Sequence, residues 1–99
     1  MAEELKVDDH FYDRADSFIH LANEHCANIS RGKVSASFMY GMSRFSAWVS
    51  ATGFESSEDM KASRQETIDY FVAQYKAMLE ENLDDYIEHF ATYISNTKA

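Results

Sequence analysis

The sequence predicts an all-α fold, and three observations support that prediction. Apolar residues recur every three to four positions along most of the chain, which is the spacing of one helix face. Proline is absent and glycine occurs three times in 99 residues, so few positions force a turn. Hydrophobic residues make up 45% of the chain and aromatic residues 14%, which favours a packed core over disorder. We therefore expect a small helical bundle of three long helices.

The first helix is predicted from about Asp9 to Ser30, with Asp8 or Asp9 as its N-cap and Gly32 just past its end. At 100° per residue its polar and apolar side chains separate onto opposite sides. The apolar side contains Phe11, Ala15, Phe18, Ile19, Ala22, Cys26 and Ile29.

The second helix is predicted from about Val34 to Thr52, and its two faces differ in side-chain size. One face carries large apolar residues, whereas the other carries mainly alanine and serine. Small side chains let another backbone approach closely, so we predict that this face is buried in the chain or contacts another subunit. A membrane span is rejected because Arg44 and several serines make insertion unfavourable. The candidate interface residues are Ala36, Ser43, Ala47 and Ser50.

The third helix is predicted to begin near Ser56, because Ser56 and Asp59 have the spacing of a capping box. Its apolar spacing continues to about Ser95, a length of about 60 Å at about 1.5 Å per residue, whereas the first two helices span about 30 Å each. Two arrangements resolve this mismatch. The helix breaks near Asn82, where Asn82 and Asp85 repeat the capping spacing, or a second subunit covers the surplus length. We favour the break, which creates a fourth helix.

These elements are expected to form one domain over residues 9–95, between a disordered tail at residues 1–8 and a frayed C-terminus at residues 96–99. The N-terminal residues are acidic and lack the apolar segment of a signal peptide. The single cysteine, Cys26, fits a reducing compartment. We therefore expect a cytoplasmic protein.

The charge is unevenly distributed along the chain. The net charge is 9 − 17 = −8, but residues 31–54 contain three basic residues and no acidic one. The segments on either side carry −5 and −6. An acidic chain without a long basic stripe is a poor candidate for nucleic acid or an anionic membrane. The expected partners are further copies of the chain, with a basic protein as the alternative.

Acidic residues and a histidine on the first helix have the spacing of metal ligands, but their direction argues against that role. Helical di-iron sites direct their ligands into the bundle, whereas these side chains lie opposite the apolar face. We interpret them as a solvated polar face and predict no catalytic residue, metal ligand or cofactor. The residues are Asp13, Asp16, His20 and Glu24.

The segment Arg31-Gly32-Lys33 places two cations before the second helix, where free backbone amides favour anions. Arg31, Lys33 and Ser35 are therefore candidate anion-binding residues. The simpler interpretation is that Gly32 ends the first helix while Arg31 and Lys33 satisfy its C-terminal carbonyls.

Five acidic residues lie within nine positions near the C-terminus. We interpret this acidic patch as a solvated face, with docking of a basic segment, such as the central section of another copy, as the functional alternative. The patch consists of Glu80, Glu81, Asp84, Asp85 and Glu88.

Long stretches of the chain resemble a small family of proteobacterial proteins recorded as a domain of unknown function. The stretches that carry the resemblance are Phe11–Asp16, Ile19–Asn23, Ser30–Phe38 and Tyr70–Tyr86. The resemblance implies a bacterial, cytoplasmic helical protein, and it implies no activity, cofactor or site residue.

The leading hypothesis is a non-enzymatic interaction module that forms a homo-oligomer. It rests on the small-residue face, the surplus apolar length and the segregated charge. The alternative is a protein that binds a small ligand or an anion through the Arg31-Gly32-Lys33 loop. A metal-dependent enzyme built on Asp13, His20 and Glu24 is the least favoured hypothesis.

Overall fold

A computed structural model describes residues 7–95, and it confirms the all-α prediction. The described residues contain no strand and include three long helices, as expected. The first six residues of the predicted tail and the predicted frayed end at residues 96–99 lie outside the described residues. The helices are α1 (Phe11–His25), α2 (Arg31–Ala51), α3 (Ser57–Ala62), α4 (Arg64–Glu88) and α5 (Phe90–Ile94).

The described residues divide into an N-terminal unit, residues 7–48, and a C-terminal unit, residues 49–95. The N-terminal unit contains α1 and most of α2. The C-terminal unit contains the end of α2 together with α3, α4 and α5, and α4 contacts both short helices. The expectation that residues 9–95 form a single domain stays a prediction.

The prediction of Asp8 or Asp9 as the N-cap of α1 is wrong, because His10 occupies that position, but Asp8 forms an ion pair next to it. The carboxylate of Asp8 accepts a hydrogen bond from the backbone amide of His10 at 2.9 Å. It also receives two bonds from the guanidinium of Arg14, at 3.2 Å and 2.7 Å. The hydrogen bonds from Arg14 lower the pKa of Asp8 below its ordinary value, because they favour the ionised carboxylate.

The prediction that α1 extends to Ser30 is wrong, because α1 ends at His25. The amides of Ala27 and Asn28 bond to carbonyls three residues back, which is the tighter geometry of a 3₁₀ turn. Ser30 instead belongs to the start of α2, where its hydroxyl accepts a hydrogen bond from the backbone amide of Lys33 at 3.4 Å.

Gly32 therefore does not end α1, and Arg31-Gly32-Lys33 is not a loop. These three residues form the first turn of α2, and no described glycine has a positive φ. Because Ser30 caps α2 before Arg31, both cations lie at a helix N-terminus, where the helix dipole disfavours positive charge. The simpler interpretation, in which they satisfy the C-terminal carbonyls of α1, is also wrong.

The capping prediction at Ser56 is confirmed. The hydroxyl of Ser56 accepts a hydrogen bond from the backbone amide of Asp59 at 3.1 Å, and α3 begins at the next residue, Ser57. The helix is interrupted at Ser63, one residue before α4 begins. This interruption was not predicted from the sequence.

The favoured break near Asn82 is also wrong, because α4 runs without interruption from Arg64 to Glu88. The side-chain amide of Asn82 donates a hydrogen bond to the carbonyl of Met78 at 2.9 Å, one turn earlier in the same helix. This bond is made within a continuing helix, whereas a capping asparagine would accept a bond from an amide that follows it. The helix ends at Glu88, six residues later, and His89 is its C-cap.

Few side chains are buried. Among residues 7–95, Val34 at the start of α2 is the one buried residue, with 8% of its surface exposed. None of the described helices is both long and apolar enough to span a membrane.

Candidate functional site

An open apolar groove lies between α1 and α2 in the N-terminal unit, and it is the candidate functional site. Its volume is about 780 Å³. The groove forms because α1 and α2 are joined by a short turn and each contributes apolar side chains to it. The apolar side chains that line it are those of Phe18, Leu21, Ala22, Ile29, Val34, Phe38, Met42 and Phe45.

The groove is exposed rather than enclosed. The exposed fraction of its large side chains ranges from 43% for Phe38 to 63% for Phe45, and the exception is the buried Val34. Small-ligand sites normally bury most of the ligand surface. A groove with half-exposed walls is more typical of one that receives a helix of a protein partner.

Two basic side chains, His25 and Lys33, also line the groove, together with the hydroxyl-bearing Ser37 and Ser46. Among residues 7–95, no acidic side chain lines it. The polar part of the groove therefore favours an acidic or neutral occupant over a basic one.

The three candidate anion-binding residues do not converge on the groove. Residues two apart in a helix lie about 200° apart around the axis, so Lys33 lies on the opposite side of α2 from Arg31 and Ser35. Lys33 lines the groove, whereas Arg31 and Ser35 do not. All three residues are exposed. Anion binding by this set stays a prediction.

The candidate interface residues share one face of α2, turned away from the groove. Ala36, Ser43 and Ala47 are exposed, and Ser50 is half-buried. The hydroxyl of Ser43 donates a hydrogen bond to the carbonyl of Tyr40 at 2.9 Å, so it is bound within its own helix. A role for this face in subunit contact stays a prediction.

On the polar face of α1 and at its N-cap, histidine side chains lie close to carboxylates one turn away. Nε2 of His20 lies 3.2 Å from a carboxylate oxygen of Glu24, and Nδ1 of His10 lies 3.4 Å from one of Asp13. These side chains are exposed. Within residues 7–95, no three histidine, cysteine or acidic side chains come close enough together to hold a metal ion.

The acidic patch lies in the last turns of α4, and one of its members is bound to α5. The phenol of Tyr93 donates a hydrogen bond to the carboxylate of Asp85 at 3.1 Å, and Nδ1 of His89 lies 3.1 Å from the other oxygen. The hydrogen bond to Asp85 raises the pKa of Tyr93, because it is lost when the phenol ionises. Glu80 is paired with Lys76 at 2.7 Å. Asp85 therefore has a structural role in joining α4 to α5.

The groove was not predicted from the sequence. Phe18 was placed on the apolar side of the first helix, and the apolar sides were expected to pack together in the core of a helical bundle. Helical periodicity identifies which residues share a face, but it carries no information on whether another element covers that face. Leu21 was not assigned to the apolar face of α1, although it lines the groove.

Comparisons with known proteins identify the family. Residues 11–87 match the family model described as "Protein of unknown function (DUF3144)". The chain is also similar to the protein NB7890A from a Shewanella species, whose structure was determined by NMR. The two sequences are 45% identical, the match covers 90% of this chain and 95% of the other, and the TM-score is 0.75. No curated protein matches the chain. The chain belongs to the DUF3144 family of proteins of unknown function.

Proposed function

We propose that this protein is a non-enzymatic interaction module that associates with further copies of itself. We place it in the cytoplasm, because a chain with a single cysteine fits a reducing compartment. One observation carries the proposal: among the described residues most large apolar side chains are exposed, and Val34 alone is buried. Core side chains of a folded domain are normally buried and contact about 6–12 other residues. An apolar surface that remains uncovered over most of both units is typical of a protein that buries it against a partner.

The size of this apolar surface is sufficient for association. Exposed fractions between 37% and 73% leave roughly half of a side chain in water, or about 100 Å² for a large residue. Covering that area contributes about 2.5 kcal/mol at about 25 cal/mol per Å². Association costs about 4–15 kcal/mol, so covering about six or more such side chains makes it favourable.

The charge distribution favours a second copy as the partner. Helix α2 contains three basic residues and no acidic one, a net charge of +3. Helix α4 contains two basic and seven acidic residues, a net charge of 2 − 7 = −5. Two copies can therefore place helices of opposite charge together, which favours the correct pairing. A basic protein docked on the acidic patch is the alternative partner.

Sedimentation equilibrium over a range from micromolar to millimolar protein tests the proposal. We expect a mass of at least twice the 11.4 kDa of one chain at the upper concentrations. A mass of 11.4 kDa across the whole range would contradict it.

A second candidate function, the binding of a small anionic ligand, is favoured by Lys33, whose side chain lines an otherwise apolar groove. The ligand would combine an apolar body with a negatively charged end, as a medium-chain fatty acid does. At about 100 times its dissociation constant, such a ligand stabilises the protein by about 2.7 kcal/mol. Laurate should then raise the melting temperature of the wild type more than that of Lys33→Gln. Equal shifts for the two proteins would exclude Lys33 as the anion site.

A further inference from the structure

We propose that the groove between α1 and α2 of one copy receives the apolar face of α4 from a second copy, and that the exchange is reciprocal. This inference rests on the proposed self-association and specifies the surfaces that form the contact. Each chain supplies this groove and an α4 helix, so a reciprocal exchange uses both and gives a closed dimer with two-fold symmetry.

The face of α4 that would enter the groove is a continuous apolar stripe. Its members are separated by four, three, four, four and three residues, so they lie along one side of the helix. Their exposed fractions range from 37% to 59%, which leaves the stripe uncovered in the C-terminal unit. The α4 stripe consists of Ile68, Val72, Tyr75, Leu79, Leu83 and Tyr86.

The stripe and the groove are comparable in length. The part of α2 that lines the groove runs from Lys33 to Ser46, or about 20 Å at about 1.5 Å per residue. The α4 stripe, from Ile68 to Tyr86, spans about 27 Å by the same rise per residue. One α4 helix is therefore long enough to occupy the groove along α2.

The area that such a contact covers is in the range of stable interfaces. Six large side chains of the groove and six of the α4 stripe are each about half exposed, and each would lose about 100 Å². One docked helix therefore covers at most about 1,200 Å², and two reciprocal contacts at most about 2,400 Å². Stable interfaces typically bury about 1,200–2,000 Å² in total.

The charge of the groove is compatible with the α4 stripe as its occupant. Of the three cations of α2, Lys33 alone lines the groove. The six residues of the α4 stripe are uncharged, so the docked stripe brings no like charge to Lys33. The acidic patch lies on the side of α4 opposite the stripe, so docking the stripe leaves the patch hydrated.

Single charge substitutions in the two surfaces test the proposal. Phe45 and Leu83 are 63% and 53% exposed, so Phe45→Glu and Leu83→Glu place a charge at the surface and not in a core. We expect each variant to weaken self-association at least 100-fold, measured by sedimentation equilibrium. Helicity by circular dichroism checks that each variant is folded. If Phe45→Glu is unfolded, Phe18→Glu replaces it in the groove, and if Leu83→Glu is unfolded, Val72→Glu replaces it on the stripe.

Matched controls lie on the same helices but outside the two surfaces. Tyr40 on α2 is 66% exposed and does not line the groove, so Tyr40→Glu is the control for Phe45→Glu. Tyr70 on α4 is 58% exposed and lies on the side opposite the stripe, so Tyr70→Glu is the control for Leu83→Glu. Both controls should associate as the wild type does.

A mixing experiment distinguishes reciprocal exchange from other contacts. Phe45→Glu retains an intact α4 stripe and Leu83→Glu retains an intact groove, so an equimolar mixture contains one complete groove–stripe pair per dimer. We expect the mixture to form a 1:1 heterodimer at concentrations where each variant alone is monomeric. If both variants are monomeric and the mixture stays monomeric, the exchange is overturned.

The remaining outcomes separate this inference from the proposed function. A wild-type protein that associates while Phe45→Glu and Leu83→Glu have no effect would overturn the exchange and leave self-association standing. If Ala47→Glu becomes monomeric while Phe45→Glu still associates as the wild type does, the exchange is likewise overturned. The contact would then lie on the face of α2 that carries alanine and serine. A monomeric wild type would overturn both proposals.

Discussion

Hydrogen bonds of single side chains decide where several helices begin and end. Ser56 accepts a bond from the amide three residues later and starts α3, whereas the side chain of Asn82 donates to the preceding turn and leaves α4 intact. Both residue types occur at N-caps, and both stand three residues before an aspartate. The sequence pattern is therefore the same at the two positions, and the direction of the hydrogen bond distinguishes them.

The bond between Tyr93 and Asp85 predicts a tyrosine that ionises late. Its pKa is raised above the ordinary 10.0 because the phenol donates a hydrogen bond to a carboxylate. The stability that this bond contributes is fully present below the pKa of the unfolded state and is lost as the pH rises through the higher folded value. In a near-ultraviolet absorbance titration, Tyr93→Phe should therefore remove the phenol that ionises at the highest pH.

Asp85→Asn is the control for this assignment, because it removes the carboxylate charge but keeps a similar shape. It should return the pKa of Tyr93 towards 10.0. If the phenol that disappears in Tyr93→Phe has an ordinary pKa, the bond is absent in solution.

At the scale of the helix, the substitution Gly32→Ala distinguishes a glycine inside α2 from a glycine that ends α1. The two interpretations predict changes of opposite sign in the free energy of unfolding. In the structure Gly32 is helical, lacks a positive φ, and an added Cβ would meet no atom within 4 Å. Gly32→Ala should therefore stabilise the protein by about 0.5–1 kcal/mol, because alanine loses less backbone entropy in a helix. If Gly32 ended α1 with a left-handed backbone conformation, replacing it with alanine would instead destabilise the protein. Urea denaturation of the wild type and of Gly32→Ala measures the sign of this change in the free energy of unfolding.

The continuity of α4 predicts that Asn82→Ala raises stability. Alanine has a higher helix propensity than asparagine, by about half a kcal/mol, and Asn82 is exposed. If Asn82 capped a separate helix, the same substitution would cost about 1 kcal/mol. Ser56→Ala is the matched control, since loss of this cap should lower stability by about 0.5–2 kcal/mol. A decrease for both variants in urea denaturation would contradict a continuous α4.

The sequence predicted the helices better than it predicted their ends. Apolar spacing identified three long helices because a 3.6-residue period persists over many residues. The ends of α1 and α4 depend on single contacts, such as the hydroxyl of Ser30 near the amide of Lys33. The same limit applies to the groove: apart from Leu21, the apolar side of α1 was identified, but periodicity could not show that its residues stay exposed.

At the scale of the whole molecule, a large exposed apolar surface accompanies a strongly acidic chain. A net charge of −8 keeps separate copies apart at long range, whereas the apolar groove and the α4 stripe favour a particular contact at short range. This combination opposes indiscriminate aggregation and permits one specific pairing. It links the charge distribution of the sequence to the proposed function.

Self-association makes thermal stability depend on protein concentration, which gives the last prediction. For a dimer that dissociates as it unfolds, a tenfold increase in concentration adds RT ln 10, about 1.5 kcal/mol near about 60 °C, to the free energy of unfolding. Two chains of 99 residues have an unfolding entropy of about 0.4 kcal/mol per kelvin. The melting temperature should therefore rise by about 3–4 °C for each tenfold increase in concentration. A variant carrying both Phe45→Glu and Leu83→Glu should lose this dependence, whereas Tyr40→Glu should keep it. A wild-type melting temperature that stays constant while the concentration rises from micromolar to millimolar would show that folding does not depend on a second copy.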